Sequence, residues 1–229
     1  MIFIAEIGLN YNGNFDLIYE MIKKAKYSGA TICKFQLGWR DGPGEMNQLD
    51  QKKVKQIIIW CEYFNVECMF SIISEKAYTL IKKFNFNKLK IASRSLKYNF
   101  DLVKKIVNEN KKKKIYMSLG MWQKKKLPFK NSNIDYLWCV SKYPTYNKDL
   151  KKFPKNFIKS NLKGYSDHTI GIDACLIAIS RGAKVIEKHF TLDKSNTTIR
   201  DHALSATPDE FKQLVEIGTE IEKKVKFGI

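Results

Sequence analysis

Two short segments late in the chain, residues 166–169 and 187–190, contain two of its three histidines, His168 and His189. Each segment follows or closes a short apolar stretch. Histidine is the commonest metal ligand and exchanges protons near neutral pH, so we interpret the two residues as parts of one site. The third histidine, His202, lies just beyond them. The alternative is that the three are unrelated, on the surface or in the core.

Other polar residues interrupt the ends of apolar stretches in the same way. Side chains two positions apart on a strand share a face, so pairs such as Lys34 and Gln36 can point into one interior. A lysine buried there needs an anionic partner, because an unpaired buried charge is costly. For each lysine taken alone, the alternative to a buried, paired side chain is one that is exposed to solvent at the end of its strand. The strand-end residues are Glu6, Lys34, Gln36, Ser71, Lys90, Ser93, Ser118, Ser141, Tyr143, Ser166, His168, Glu187 and His189.

This pattern predicts a pocket for a phosphate or carboxylate beside two imidazoles. Two histidine ligands without cysteine suit Mn, Fe, Co or Zn with open coordination positions, as in a catalytic ion. Such a pocket can form only if the strand ends meet at one place in the fold. The order of strands and helices along the chain predicts a fold in which they do.

Short β-branched runs alternate with amphipathic stretches from end to end of the chain. Gly29 and Gly182 end two of the predicted helices, and Thr207 with Pro208 begins the last one. The predicted strands are 2–7, 31–35, 67–71, 88–92, 114–118, 136–140, 162–166 and 185–189. The predicted helices are 15–28, 50–64, 75–84, 100–110, 172–181 and 208–226.

Eight strands with intervening helices in 229 residues predict a compact α/β fold, a (β/α)8 TIM barrel, as a single domain over 1–229. The rival is a doubly wound open sheet, but residues 8–13 lack the G-x-G-x-x-G spacing of its dinucleotide turn. Residues 119–135 show little apolar periodicity, so helix 5 is expected to be reduced or missing. In such a barrel the chemistry collects where strands end.

The net charge of +18 invites comparison with nucleic-acid-binding proteins. Only four of the 41 basic residues are arginines, and no cluster of arginine with aromatic residues is present, so we expect no nucleic acid and favour an anionic small substrate. No apolar run approaches a membrane span and the N-terminus does not resemble a signal peptide. Five cysteines without metal-type spacing favour a reduced, cytoplasmic location.

Six segments, in one register over nearly the whole chain, resemble the sialic acid synthases (N-acetylneuraminate synthase and its relatives). The most specific of them is 182–193, Gly-Ala-Lys-Val-Ile-Glu-Lys-His-Phe-Thr-Leu-Asp. The others are 4–13, 25–36, 90–93, 143–145 and 164–172.

The resemblance implies a metal-dependent condensation of phosphoenolpyruvate with an amino-sugar aldehyde similar to N-acetylmannosamine, giving a nonulosonic acid. By similarity, His168 and His189 bind a divalent metal, typically Mn2+, with Mg2+ or Co2+ as other possibilities. The residues that would bind phosphoenolpyruvate are Lys34, Ser71, Lys90, Ser93 and Ser166. Ser141 is a further substrate-binding residue. Gln36, Tyr143 and Asp201 would meet the acceptor, and Glu6 would lie near the reacting carbons. Glu6, Tyr143 and Asp201 form the expected catalytic set.

The chain also departs from the family pattern. Ser95 replaces an acidic residue, Arg94 a glycine, Ser141 an asparagine and Tyr11 a histidine, and the loop 37–49 is short. The chain stops after the eighth helix, where the family continues into an antifreeze-like domain that closes the sugar site of the partner subunit.

These departures leave two expectations open. Either a homo-oligomer or a separate protein supplies the lid, through exposed loops around 38–44 and 194–199, or the chain is a catalytically impaired paralogue. Such a paralogue would bind metal or anion and act as a partner or regulatory subunit in glycan biosynthesis.

Overall fold

In the computed structural model, eight parallel strands follow one another in sequence order around a closed barrel. The structure describes residues 1–227 except 41, 43 and 46. The strands are β1 Ile2–Gly8, β2 Ile32–Leu37, β3 Glu67–Ile72, β4 Lys88–Ile91, β5 Lys114–Ser118, β6 Ile134–Trp138, β7 Leu162–Asp167 and β8 Val185–His189. The helices are α1 Leu17–Tyr27, α2 Gln51–Tyr63, α3 Glu75–Ile81, α4 Ser93–Tyr98, α5 Phe100–Glu109, α6 Asp173–Ser180 and α7 Pro208–Lys226.

The (β/α)8 prediction is confirmed, and so is the missing fifth helix. Residues 119–133 form turns without a helix. Trp122 and Phe129 from this segment stack on Phe100 of α5, each with ring centroids 5.7 Å apart. These aromatic contacts cover the barrel where the helix would have packed.

Three details differ from the sequence prediction. β6 begins two residues earlier than expected, because Ile134 pairs with Ile115 of β5. α4 was not predicted; it begins directly after β4, with Ser93 as its first residue. The connection from β6 to β7 contains only a short 3-10 helix, Asn147–Asp149, so the sixth unit also lacks an α-helix among the described residues.

The predicted helix boundaries at Gly29, Gly182 and Thr207 are observed. Gly29 and Gly182 have φ of +89° and +92°, a region that side chains with a Cβ rarely adopt. The Thr207 hydroxyl accepts a hydrogen bond from the Glu210 amide, and the Glu210 carboxylate accepts one from the Thr207 amide. This capping box satisfies two backbone donors that the helix leaves free at its N-terminus.

Inside the barrel, an apolar layer lies beneath a polar layer at the carboxyl ends of the strands. One layer of inward side chains forms a closed apolar plug: Ile4, Ile32, Met69, Tyr116, Leu137 and Val185. Two residues further along five of these six strands the same face carries a polar group, such as Glu6 on β1 and Lys34 on β2, which are register partners. The strand alternation therefore builds a solid base and places the polar layer on top of it.

Behind the strand ends, a buried ion pair joins β7 to β8. The Lys188 ammonium lies 2.6 Å from the Asp167 carboxylate, and both side chains are 0% exposed. Asp167 also accepts hydrogen bonds from Tyr165, Thr169 and Cys175. Since Asp167 and Lys188 face away from the interior, their inward neighbours along the strands are Ser166, His168, Glu187 and His189. The pair therefore fixes the two strand ends that carry both predicted metal ligands.

We expect Lys188→Met to lower the free energy of unfolding by on the order of 3–5 kcal/mol, because it leaves a buried carboxylate without its cation. Lys104→Met, which removes an exposed partner of Asp101, should cost less than about 1 kcal/mol. Urea unfolding measures both. The double variant Asp167→Asn/Lys188→Met should recover most of the loss; no recovery would show that Lys188 acts through packing and not through charge.

The effect of Lys188→Met should also depend on pH. Burial by itself raises the pKa of Asp167, but Lys188 and the hydrogen-bond donors outweigh it and hold the pKa below 3.8. In the variant only burial and the donors remain, so the pKa of Asp167 rises and the group takes up a proton on folding in mild acid. The destabilisation should therefore be smaller at pH 5 than at pH 7; an equal loss at both would contradict the assignment.

None of the helices in the described part of the chain combines the length and the hydropathy that a membrane crossing requires.

Candidate active site

All twelve residues that the sequence singled out as site residues line one cavity of about 480 Å3 at the carboxyl ends of the strands. The cavity lies directly above the apolar plug. These residues are Glu6, Lys34, Gln36, Ser71, Lys90, Ser93, Ser141, Tyr143, Ser166, His168, His189 and Asp201.

The floor of the cavity is a network of buried charges centred on Glu187. One Glu187 oxygen lies 3.2 Å from the Lys34 ammonium and the other lies 3.2 Å from the Lys90 ammonium. Lys34 also lies 3.2 Å from Glu6. Lys34, Lys90 and Glu187 are exposed by 4%, 2% and 4%. Two lysine side chains are thus held out of water beneath the cavity, with Glu187 shared between them.

Hydroxyl and amide groups complete this floor. Ser166 donates to Glu187 over 2.7 Å, and Lys90 donates to Ser118 over 2.7 Å. Gln36 donates to the second Glu6 oxygen over 2.9 Å. On the adjacent wall, Ser93 and Ser141 share a hydrogen bond of 2.7 Å. The hydroxyls are small donors that can turn toward an anion without moving the backbone.

The two floor carboxylates have opposite pKa shifts. Burial opposes ionisation of Glu187, but Lys34 and Lys90 outweigh it and hold the pKa well below its usual range. For Glu6, burial is the largest influence and the Glu187 charge adds to it, so the pKa is raised in spite of Lys34. Glu187 is therefore a permanent anion, whereas Glu6 is placed to gain and lose a proton.

His168 and His189 face each other on the adjoining wall, with ring centroids 5.5 Å apart. The Nδ1 atom of His168 donates to the Val140 carbonyl over 2.7 Å, which leaves the Nε2 lone pair free. Burial lowers the pKa of both rings to about 3, so both are neutral at pH 7. The Tyr143 ring lies 4.3 Å from His168, and the Asp201 carboxylate lies 3.8 Å from Nδ1 of His189.

This pair fits a divalent metal that takes two protein ligands. Nδ1 of His189 is buried and has no hydrogen-bond partner among the described residues, and neutral imidazoles are the form that binds metal. The described residues contain no group of three or more His, Cys, Asp or Glu arranged to hold a metal ion. An ion between His168 and His189 would therefore keep open positions for substrate or water.

His202, which the sequence placed near the other two histidines, does not line the cavity. Its Nδ1 atom lies 2.6 Å from the Thr191 hydroxyl and its Nε2 atom lies 2.8 Å from the Asn12 side-chain oxygen. It joins the loop after β8 to the loop after β1. Proximity along the chain was misleading here because His202 belongs to a 3-10 helix, Arg200–Leu204, that turns it into the protein.

Ser95, which occupies the position of a family acid, also points elsewhere. Its hydroxyl donates to the Ile72 carbonyl over 3.1 Å, and the residue is 2% exposed. The cavity nevertheless has three carboxylates, Glu6, Glu187 and Asp201. The site therefore does not lack acidic groups.

The sequence reasoning missed several cavity residues. It placed Glu187 at a strand end but did not predict that Glu187 connects the two lysines. It gave no site role to Trp39, Arg94 or Arg200, which line the mouth of the cavity. For Arg94 a signal existed, since an arginine replaces a small residue directly after Ser93.

Known proteins resemble this chain in sequence and in structure. The sequence model of the NeuB family matches residues 44–229. The N,N'-diacetyllegionaminic acid synthase of Campylobacter jejuni is 31% identical, over 99% of this chain and 78% of its own length. The N-acetylneuraminate-9-phosphate synthase of Drosophila melanogaster is 30% identical, over 92% and 65%. A crystal structure of the sialic acid synthetase from Leptospira borgpetersenii, in complex with citrate, has a TM-score of 0.87 at 27% identity, over 98% of this chain and 84% of that one.

Proposed function

The chain belongs to the NeuB family, and we propose that it condenses phosphoenolpyruvate with an amino-sugar aldehyde, similar to N-acetylmannosamine, to form a nonulosonic acid. The single observation that carries this proposal is the buried pair of lysines, Lys34 and Lys90, held beneath one cavity by Glu187. Two ammonium groups out of water are costly unless an anion compensates them, and a ligand with a phosphate and a carboxylate matches both.

In this proposal phosphoenolpyruvate lies on the floor of the cavity. Lys34 and Lys90 share their charge between Glu187 and the ligand, and the hydroxyls of Ser71, Ser93 and Ser166 donate to its oxygens. Because the lysines are already fixed by Glu187, they need not reorganise as negative charge develops on the leaving phosphate. This is electrostatic preorganisation, which is often the largest single contribution to catalysis.

The reaction forms one carbon–carbon bond and breaks one carbon–oxygen bond. The methylene carbon of phosphoenolpyruvate attacks the aldehyde carbon, and the aldehyde oxygen takes up a proton. Water adds to the positively charged enol carbon and loses a proton. The resulting tetrahedral carbon then expels phosphate, together with the oxygen that joined them, while its new hydroxyl loses the second proton of the water and becomes the keto oxygen of the product.

Glu6 and Asp201 are the groups we assign to the proton transfers. Burial raises the pKa of both, which brings an acid closer to the pH where it can give and take protons. Glu6 lies beside Lys34 at the floor, where water adds. Asp201 lies beside His189 and, with Gln36 and Tyr143, faces the side where the acceptor enters.

A divalent metal, which we propose to be Mn2+ on His168 and His189, would supply Lewis-acid polarisation of the aldehyde oxygen when bound. The Val140 carbonyl orients the His168 ring for this task, as outer groups commonly do for metal-bound histidines. We also propose that a second copy of the chain or a separate protein covers the mouth during turnover, since closure excludes water from the reacting carbons.

The test is release of inorganic phosphate from phosphoenolpyruvate by the purified, Mn2+-loaded chain with a panel of amino-sugar aldehydes. We expect release that requires an acceptor and is lost in Lys90→Ala. Running the assay over a range of protein concentrations tests the proposed cover, because self-association makes the specific activity rise with concentration. Phosphate release at the same rate without any acceptor would contradict the proposed condensation.

The replacement of a family acid by Ser95 in the sequence is the reason for a second candidate, a protein that binds phosphoenolpyruvate and metal without turnover. The same assay separates the two functions. Under this second candidate, phosphoenolpyruvate raises the melting temperature but no acceptor in the panel produces phosphate.

A further inference from the structure

Five lysine and arginine side chains line the cavity, and Arg94 differs from the other four. Lys34, Lys90, Lys142 and Arg200 each lie within 4 Å of a carboxylate oxygen. Arg94 has no carboxylate at such a distance among the described residues, and it is exposed at the mouth of the cavity. Within the described part of the chain, Arg94 is therefore the one cavity cation that no carboxylate neutralises.

The Arg94 guanidinium is held in place by two aromatic rings. It lies 4.7 Å from the ring centroid of Trp39 and 5.1 Å from that of Tyr98. A guanidinium that lies against aromatic rings is fixed in position and can still donate hydrogen bonds through its N–H groups. No hydrogen bond occupies those donors within the described residues. A planar, oriented fork of free donors is the arrangement that binds the oxygens of a phosphate.

The position of Arg94 in the cavity limits which anionic group it can bind. The floor, with Lys34 and Lys90, is assigned above to phosphoenolpyruvate. The acceptor must direct its aldehyde toward the floor and the histidine pair, so its other end lies toward the mouth. An anionic group at that end of the sugar would meet Arg94.

We propose that the acceptor is a phosphorylated amino sugar, with a phosphate ester at the end remote from its aldehyde, and that Arg94 binds this phosphate. The inference rests on the condensation proposed above and names its substrate class. Condensation adds three carbons at the aldehyde end, so a phosphate on carbon 6 of the acceptor is on carbon 9 of the product. Sequence similarity alone does not decide between a phosphorylated and an unphosphorylated acceptor. The C. jejuni relative, named for an unphosphorylated product, is 31% identical to this chain, and the D. melanogaster relative, named for a 9-phosphorylated product, is 30% identical.

The test compares N-acetylmannosamine 6-phosphate with N-acetylmannosamine as acceptors, at saturating phosphoenolpyruvate. We expect wild type to prefer the phosphorylated sugar. Arg94→Ala should lower the ratio of kcat/KM for the phosphorylated sugar to kcat/KM for the neutral sugar by about 10- to 100-fold, which corresponds to the loss of a hydrogen bond to a charged group. Lys97→Ala is the matched control, since Lys97 lies on the same helix and contacts the same Tyr98 ring but does not line the cavity. It should leave the ratio unchanged.

Three results would overturn the inference. The first is an unchanged ratio in Arg94→Ala, and the second is a rise in the KM for phosphoenolpyruvate without a change in the ratio, which would assign Arg94 to the other substrate. The third is a preference for an acceptor that has a carboxylate at the same carbon, which would replace the phosphate with another anion.

A binding measurement keeps this inference separate from the proposed function. In the presence of phosphoenolpyruvate, N-acetylmannosamine 6-phosphate should raise the melting temperature of wild type and Lys97→Ala, and much less that of Arg94→Ala. If neither acceptor is turned over by wild type but this difference is found, the condensation fails while the Arg94 phosphate site stands. If the neutral sugar is turned over and the phosphorylated sugar neither binds nor reacts, the condensation stands and the Arg94 site is overturned.

Discussion

Lys34→Ala and Lys90→Ala are each expected to lower kcat/KM for phosphoenolpyruvate by about 10²- to 10³-fold, the loss typical of removing one preorganised donor from a reacting centre. They should also erase the stabilisation that phosphoenolpyruvate gives. At 100 times its Kd, a ligand of the folded state adds about 2.7 kcal/mol, or about 5–10 °C in Tm for a domain of this size. Thermal unfolding with and without phosphoenolpyruvate measures this.

Lys88→Ala is the matched control for Lys90→Ala. Lys88 lies on the same strand, two residues earlier, and pairs with Glu67 at the opposite end of the barrel. It should respond to phosphoenolpyruvate as wild type does. If Lys34→Ala and Lys90→Ala also respond like wild type, the anion binds elsewhere and the floor is wrongly assigned.

His168→Ala and His189→Ala are expected to abolish stoichiometric Mn2+ in metal-loaded, desalted protein. Loss of an outer-shell partner alone typically costs about 10- to 100-fold in metal affinity, and loss of one of only two protein ligands should cost more. Metal analysis of the purified variants measures this without reference to activity.

His202→Gln is the control, because His202 is hydrogen-bonded to Thr191 and Asn12 away from the cavity. The His202→Gln variant should retain stoichiometric Mn2+ even if the substitution lowers the stability of the protein. Full metal occupancy in both His168→Ala and His189→Ala would reject the pair as ligands.

The barrel was predictable because its signals are local. β-branched runs and intervening amphipathic stretches mark the strands and helices, and period-two alternation sets which strand residues point inward. Closure of the barrel then brings every inward strand end to one opening. That is why residues as distant along the chain as Glu6 and His189, which are register partners on β1 and β8, could be assigned to one site.

The contacts across the barrel were not predictable. Glu187 on β8 meets Lys90 on β4, and these two strands are not neighbours in the sheet. Which cross-barrel side chains touch depends on side-chain length and on the height of each residue in the interior, and alternation does not specify either. The direction in which the Ser95 side chain points was not predictable either, because it depends on where α4 begins. α4 begins at Ser93, and its first turn directs Ser95 toward β3.

Phosphoenolpyruvate labelled with 18O at the bridging oxygen tests the central claim most directly. The purified, Mn2+-loaded chain is incubated with this substrate and the acceptor panel, and both products are analysed by mass spectrometry. Since water adds to the enol carbon before phosphate leaves, we expect acceptor-dependent release of phosphate that contains the label, together with an unlabelled keto-acid sugar three carbons longer than the acceptor. Label retained on the three-carbon product, with phosphate released whether or not an acceptor is present, would show simple hydrolysis and contradict the account.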